Sequence, residues 1–420
     1  MKNLKIGICG WGNVATGLYK TIKDNNEQIT SNANLNIDIT VIGARRDNPK
    51  CDPDSVKIER NIFDVINYDI DVVVELIGGI DTARELILTA IKNKKHVVTA
   101  NKAVIFNHGD EIFKEAHNNG VRVLYESSVC AGTPAIKILS EELAANKITK
   151  ISGMLNGTSN FILSNMEEGA DFASTLALAQ QKGYAEPDPT FDIEGMDAAH
   201  KIGILSSLAF RTSLPPNNFY IEGISSIENI DFKYASELGF TIKHLAIAKQ
   251  NKESVELRAH PVLIEKIQNL ANLKSVRNGI EIETDLVGIL HVAGSGAGQE
   301  STASGIISDL VNLANSEKNT TCIDARNIIP LADFLTLTFQ YYIYIEADDI
   351  PGVMASITST FADKKIGIET IVQKEELNEG IVPIVIITDP FLESENAELI
   401  KKIDELDSVK KVRSIRIEPF

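Results

Sequence analysis

Short apolar runs and helical periodicities alternate over the first third of the chain. Leu4 to Cys9 is an apolar run that meets glycines, and Val14, Leu18 and Ile22 then recur at the spacing of one helical face. Ile37 to Ile42, Asp71 to Ile77, His96 to Ala100 and Val121 to Tyr125 read as further strands, and a helix starts near Asp81. The run from Asp71 is almost continuously apolar, as expected of a strand covered on both faces of a parallel sheet. This alternation predicts an α/β unit of Rossmann type over residues 1–133. After Pro134 the strict alternation stops. Runs at Ser254 to Ile264, Val276 to Thr284 and Leu286 to Val292 predict the strands of an α+β unit over 134–296, and Gly305 to Ala314 reads as an apolar helix. From Tyr341 the pattern becomes strand, helix with Met354, Ile357 and Phe361 inward, two strands, helix and a last strand, Lys411 to Ile417. That is a βαββαβ order over 340–420, with the residues between Ala314 and Tyr341 as the linker and no internal repeat.

One predicted helix, Asp192 to Ala209, carries charge where it should be apolar. Ile193, Ile204, Leu205 and Leu208 fall on one side of it, and Asp197 and Lys201, one turn apart, fall inside the same stripe. Such charges cost free energy unless they are paired or used. A buried structural ion pair and a catalytic pair are both open on this spacing.

Glycines mark the other candidate chemistry. In Gly10-Trp11-Gly12-Asn13-Val14-Ala15, Gly10 permits the tight turn, Gly12 lets the backbone approach a pyrophosphate, and Ala15 is small enough for helix-on-strand packing. The second strand ends in Gly43-Ala44-Arg45-Arg46, where an NAD site would place an acid; Arg45 and Arg46 either meet a 2′-phosphate, which favours NADP, or are solvated. Ile77-Gly78-Gly79 brings backbone to a ligand again, and Thr99-Ala100-Asn101-Lys102 ends the next strand in the crevice where open α/β sheets bind ligands. Gly294 to Ser304, with Gly298 near its centre, is a small-residue loop leading into a helix N-terminus.

Composition narrows the classes. The chain has 420 residues, 44% hydrophobic and 24% charged, which is ordinary for two or three globular domains. A net charge of -17 argues against nucleic acid and anionic membrane surfaces as partners. Cys9, Cys51, Cys130 and Cys322 show no metal or disulfide spacing, and no secretory or membrane-spanning run is present, so a cytoplasmic protein is expected.

The stretch Gly183 to Lys201 resembles homoserine dehydrogenase, whose substrate loop and helix read G-Y-x-E-P-D-P and then D-x-x-G-x-D-x-x-x-K. Thr99 to Lys102 matches that family's T-A-N-K, Gly153 to Asn160 its G-x-L-N-G-T-x-N, and Glu126 to Pro134 its E-x-x-V-x-A-G-x-P. The resemblance implies interconversion of L-aspartate 4-semialdehyde and L-homoserine with NADP or NAD, for threonine, methionine and isoleucine biosynthesis. It implies that Glu186 and Asp197 hold substrate with Gly183, Tyr184, Asn156 and Thr158, and that Asp192 supports them. Lys201 is then the acid or base at the reacting oxygen, with Lys102 as second choice. Glu126 and the carbonyls of Val129, Ala131 and Thr133 would hold a sodium ion, or the loop is a hinge without one. The family's G-x-G-A-G-x-x-P-T-A-S loop returns the chain to the nucleotide unit, here over about 297–325, with Ser301 replacing the proline. Asp349-Ile350-Pro351-Gly352-Val353 is similar to the D-x-P-G-V of the regulatory ACT domain, which implies an amino-acid effector such as threonine and a homodimer or homotetramer. The rival enzyme, a phosphorylating semialdehyde dehydrogenase, would use Cys130 as nucleophile; the non-enzymatic rival is a sensor that binds nucleotide and amino acid without turnover.

Overall fold

The computed structural model describes residues 1–214, 219–316, 329–376 and 380–419. Cys322 and part of the expected return segment and linker lie outside the described residues.

The first sheet has six strands: β1 Lys2–Cys9, β2 Leu35–Gly43, β3 Lys57–Glu59, β4 Val72–Glu75, β5 His96–Thr99 and β6 Val123–Leu124. All pairs are parallel and the order is β3-β2-β1-β4-β5-β6, the doubly wound arrangement whose switch point lies between β1 and β4. Ile6, Ile8, Val72, Val73, Val74, Val97 and Val98 are fully buried, because helices cover both faces. One covering helix is Asn13–Asp24, and Gln299–Asn315 lies against it so closely that a Cβ on Gly17 would sit 2.8 Å from Gln299 Cβ. The later helix begins six residues before the expected Gly305, since polar residues of its first turn face solvent and carry no apolar signal.

The second sheet has eleven strands and crosses what the sequence pattern separates. Its middle part is β7 Ile148–Met154, β8 Tyr220–Ile221, β9 Phe240–Gln250, β10 Val255–Glu265, β11 Arg277–Thr284 and β12 Ile289–Ser295. Its C-terminal part is β13 Thr338–Asp348, β14 Ile368–Gln373, β15 Ile381–Thr388, β16 Phe391–Leu392 and β17 Val409–Ile417, with β17-β13-β15-β14 in spatial order and helices Val353–Asp363 and Glu393–Asp404 on it. Strands β10 and β17 pair in parallel at Val262 with Arg416 and Leu263 with Ile417, and Glu418 N donates to Leu263 O at 2.9 Å. The described part of the expected linker is tied to the sheet: Val255 N donates to Pro330 O at 2.9 Å, and Phe334 stacks on Tyr220 at 3.7 Å. The C-terminal unit is thus one edge of a continuous sheet.

The helix expected from Asp192 to Ala209 is two helices, Thr190–Ile193 and Met196–Phe210. Gly195 stands between them at φ +83°, a left-handed conformation that glycine adopts without a Cβ penalty. On an unbroken helix residues five apart point about 140° away from each other. The break is what lets Asp192 and Asp197 face the same place.

Candidate functional site

A cleft of about 880 Å³ opens between the C-terminal ends of the parallel strands and the large sheet. Asn13, Val14, Ala100, Lys102 and Gly298 line it from the nucleotide side, and Asn156, Thr158, Gly183, Tyr184, Glu186, Asp192, Asp197 and Lys201 from the other. An adjoining cleft holds Gly10, Gly12, Arg45, Arg46 and Ile77.

The nucleotide side is shaped by missing atoms. Gly10 has φ +107°, and a Cβ there would lie 2.4 Å from Leu76 O, whereas a Cβ on Gly12 would meet nothing within 4 Å. Gly12 therefore keeps space open in front of the helix Asn13–Asp24, which has neither a side-chain cap nor an acid in its first turn. Its leading N–H groups are left for an anion, so these residues fit a dinucleotide pyrophosphate. Arg45 and Arg46 are exposed at the end of β2, while the nearby Asp47 is taken by Arg60 at 2.7 Å. Gly78 is left-handed at φ +71°, and Asn101 Nδ2 donates to Gly79 O at 2.7 Å. Glu75, which sequence reasoning missed, organises this corner: its buried carboxylate accepts from Thr99 Oγ1 at 2.6 Å and Ile77 N at 2.9 Å. Burial pushes that carboxyl up from its ordinary value. A lone acid ending an apolar strand was the available signal.

The substrate side is a charge cluster. Asp197 Oδ2 accepts from Lys201 Nζ at 2.7 Å, and Asp197 Oδ1 lies 3.0 Å from Lys102 Nζ. Lys201 also donates to Leu155 O at 2.7 Å. Asn156 Nδ2 donates to both Asp197 Oδ2 and Asp192 Oδ1 at 2.8 Å, and Thr158 Oγ1 donates to Tyr184 O at 2.7 Å. Burial alone would raise the Asp197 carboxyl, but Lys201 and Lys102 overcome it and hold the group below the usual carboxylate range. Burial likewise opposes the Lys201 ammonium, yet Asp197 outweighs it and holds the lysine above its ordinary value. Asp192 is raised, chiefly by burial. The Lys102 side chain is 32% exposed against 9% for Lys201, so of the two ammonium groups that line the cleft Lys102 is the more open to solvent and Lys201 the more enclosed.

Glu186 and Tyr184 stand on an exposed loop at the mouth, with Gly183 left-handed at φ +73°. His200, also missed, stacks on Phe106 at 4.3 Å and meets the edge of Phe191 at 5.3 Å; Phe191 lies 5.6 Å from Lys102 Nζ. Asn278 donates to Leu155 O at 2.8 Å and lies 3.8 Å from Cys130 Sγ. Burial pushes the Cys130 thiol up to about 11, so it is protonated at neutral pH. Glu126 is buried, its carboxylate accepting from Ile136 N at 2.9 Å and Lys137 N at 2.8 Å, and burial still pushes it up to about 7. Of its expected companions, Thr133 O already accepts from Ala135 N at 2.8 Å, and Ala131 O faces Gly305.

Known proteins share the sequence family and the fold. The family model described as homoserine dehydrogenase matches residues 134–311, that of the homoserine dehydrogenase NAD binding domain 10–126, and that of the ACT domain 341–405. A homoserine dehydrogenase of Pseudomonas aeruginosa is 44% identical over 100% of this chain and 99% of its own length, and one of Neisseria gonorrhoeae is 39% identical over the same shares. The crystal structure of a homoserine dehydrogenase from Thiobacillus denitrificans superposes with a TM-score of 0.92 at 41% identity, covering 100% of this chain and 99% of that one. No helix among the described residues is long and apolar enough to cross a membrane. The chain belongs to the homoserine dehydrogenase family, oxidoreductases that use a nicotinamide dinucleotide to interconvert L-aspartate 4-semialdehyde and L-homoserine on the way to threonine, methionine and isoleucine.

Proposed function

We propose that Lys201 gives a proton to the aldehyde oxygen of L-aspartate 4-semialdehyde during reduction and takes it back when L-homoserine is oxidised, with Lys102 as the alternative donor. One observation carries this reading: a single buried carboxylate, Asp197, holds both ammonium groups at the floor of the cleft. A bound dinucleotide supplies the hydride to the aldehyde carbon. Asp197 keeps Lys201 charged and therefore ready as an acid, and its own low proton affinity keeps it from competing for that proton. Glu186, with Asp197 and the supporting Asp192, suits the substrate ammonium, and Gly183, Tyr184, Asn156 and Thr158 complete the pocket. The raised, protonated thiol of Cys130 speaks against a covalent thiohemiacetal route. NADPH oxidation on adding the semialdehyde without phosphate is expected; a strict phosphate requirement would overturn the reading.

The cofactor is proposed to be NADP in preference to NAD, because Arg45 and Arg46 have no carboxylate partner among the described residues and can receive a 2′-phosphate. A sodium ion at Glu126, with the carbonyls of Val129, Ala131 and Thr133, is supported by the buried carboxyl, which has no lysine or arginine within ion-pair distance among the described residues. Threonine is proposed as effector beside Gly352, which at φ +100° leaves the N-terminus of Val353–Asp363 without a side-chain cap. Lys410 occupies Asp348 at 2.9 Å, so Asp349 is the acid left for the effector's ammonium. Titration of the full chain with threonine tests this, and no binding or inhibition at millimolar concentration would sink it. A cytoplasmic homodimer or homotetramer completes the proposal.

A further inference from the structure

The segment carrying Asp192 and Asp197 is braced from behind by a residue of the C-terminal unit. Arg416, on β17, is buried and divides its guanidinium between two units. Nε and Nη2 donate to the two carboxylate oxygens of Glu393, each at 2.7 Å, within its own unit. Nη1 donates to Glu222 Oε2 at 2.8 Å and Nη2 to Tyr220 Oη at 2.9 Å, both beside β10 in the middle of the sheet.

Glu222 passes this hold on through its backbone. Its carbonyl lies 2.9 Å from His244 Nε2, and because a carbonyl only accepts, Nε2 carries the proton. The same His244 ring packs on Gly195, where a Cβ would come within 2.8 Å of Nε2. Gly223 presses on the preceding turn, with 2.5 Å between a Cβ there and Ile193 O, and Ile224 N donates to that carbonyl at 2.9 Å. Ser225 Oγ adds a bond to Glu194 at 2.7 Å. Residues 193–195 therefore have no slack towards 222–225, and close-packed groups pass a displacement on instead of absorbing it. What rests on that turn is the Gly195 break, which aims Asp192 and Asp197 at Asn156.

We propose that Arg416 is a positioning residue for the Asp197–Lys201 pair, acting through Glu222 and the 193–195 turn, so that the C-terminal unit helps set the geometry of proton transfer. The inference rests on the reading that this pair moves the proton. Misplacing a reacting group by about 1 Å costs on the order of a hundredfold in rate, so a partial shift is readily seen.

The test uses the full chain and four variants. Arg416→Met is expected to lower kcat by about tenfold or more and to raise KM for the semialdehyde, with the cofactor Kd within about twofold of the parent. Arg416→Lys should recover part of the loss. Glu222→Gln, which leaves the Arg416–Glu393 pair in place, should reproduce part of it, and combining it with Arg416→Met should add little, since both cut one path. A merely structural role would instead lower the fraction of enzyme that binds cofactor stoichiometrically and leave KM unchanged. That result, or kcat and KM near parental in both folded variants, overturns the proposal; should Arg416→Met fail to fold, Glu222→Gln decides by the same criterion. Lys201→Met, measured alongside, separates the two readings. If it stays active the catalytic assignment falls, whereas an inactive Lys201→Met with undisturbed Arg416 and Glu222 variants defeats the positioning role alone.

Discussion

The two walls of the cleft are built in opposite ways. The nucleotide wall offers backbone N–H groups at an uncapped helix, the open space in front of Gly12 and the tight turn at Gly10. The substrate wall offers buried charges, two lysines and two aspartates tied through Asn156. A wall made of absent atoms is vulnerable to additions, and one made of paired charges to deletions. The second is also costlier to keep folded, because removing one partner strands the other without water.

The largest expected effect is on the charged wall. Lys201→Met should lower turnover by about two orders of magnitude or more, the range for losing a positioned acid, while cofactor affinity measured by fluorescence titration stays unchanged. Turnover within a few-fold of the parent would make the pair structural and pass the proton to Lys102. The nucleotide wall answers to the opposite change. Gly12→Ala adds one methyl to open space, so thermal stability should hold while cofactor affinity falls by about tenfold, or ~1.4 kcal/mol. Gly10→Ala meets Leu76 O at a left-handed φ and should cost ~1–3 kcal/mol of stability. Equal behaviour of the two alanines in thermal melts and cofactor titrations would break the distinction.

How far each wall was legible follows from the same contrast. Local signals sufficed for five of the six strands of the doubly wound sheet, because strands buried on both faces read as continuous apolar runs, and for the glycine turns, because a missing Cβ is visible as a letter; the short edge strand Lys57–Glu59 is exposed to half-buried and gave no such run. Lys102 and Lys201 stood out by motif and by charge in an apolar stripe. Long-range facts were not legible. Strand β9 has Thr241 to Ala248 all buried, so it shows no alternation. The pairing of β17 with β10 joins residues far apart in sequence that carry no mutual signal. Asn278 and His200 were missed because each is defined by what it touches across the fold, whereas Glu75 left a local signal as the lone acid ending an apolar strand. The Gly195 break was readable as a glycine but not as a left-handed one. The pairing of β17 with β10 has a direct consequence for truncation: cutting after Pro330 would strip β17 from β10 and leave the buried Arg258 and Lys150 without Glu418.

Smaller effects sharpen the comparison at the edges of each wall. Arg45→Ala should cost NADPH affinity ~1.5–3 kcal/mol, as for a hydrogen bond to a charged group, and leave NADH nearly unaffected; a parent that strongly prefers NADH would show the arginines facing solvent. Glu126 gives a pH signature. Its folded pKa, about 7, lies above the usual ~4.3 of an unfolded glutamate, so folding favours its protonated form. That stabilising effect is full below the unfolded value and is lost as pH rises towards 7. A cation at the site would offset the loss. Sodium should therefore raise Tm by a few degrees over choline at pH 8 but not at pH 5, and Glu126→Gln should remove the difference. Identical melts in the two salts at pH 8 would exclude the ion.

The smallest effect is expected where the walls meet. Cys130 lies in the cleft between Ser128 and Ala131, near Lys201, where a nucleophile would be well placed by position alone. Three features argue that it does no covalent chemistry. Burial pushes its thiol up to about 11, and the nearby Lys201, whose charge favours the thiolate, does not overcome that. Among the described residues no histidine is a hydrogen-bond partner of it; Asn278 at 3.8 Å is a donor and cannot remove the proton. Its backbone is left-handed at φ +58° and so is that of Ala131 at φ +50°, a turn geometry that makes no demand for sulfur. Cys130→Ala removes the sulfur and keeps the Cβ, so semialdehyde reduction should stay within a few-fold of the parent, and thiol-blocking reagents should leave the native enzyme active. Complete loss of turnover in a folded Cys130→Ala protein, with cofactor binding intact, would restore the sulfur to the mechanism and join the two walls through a covalent intermediate.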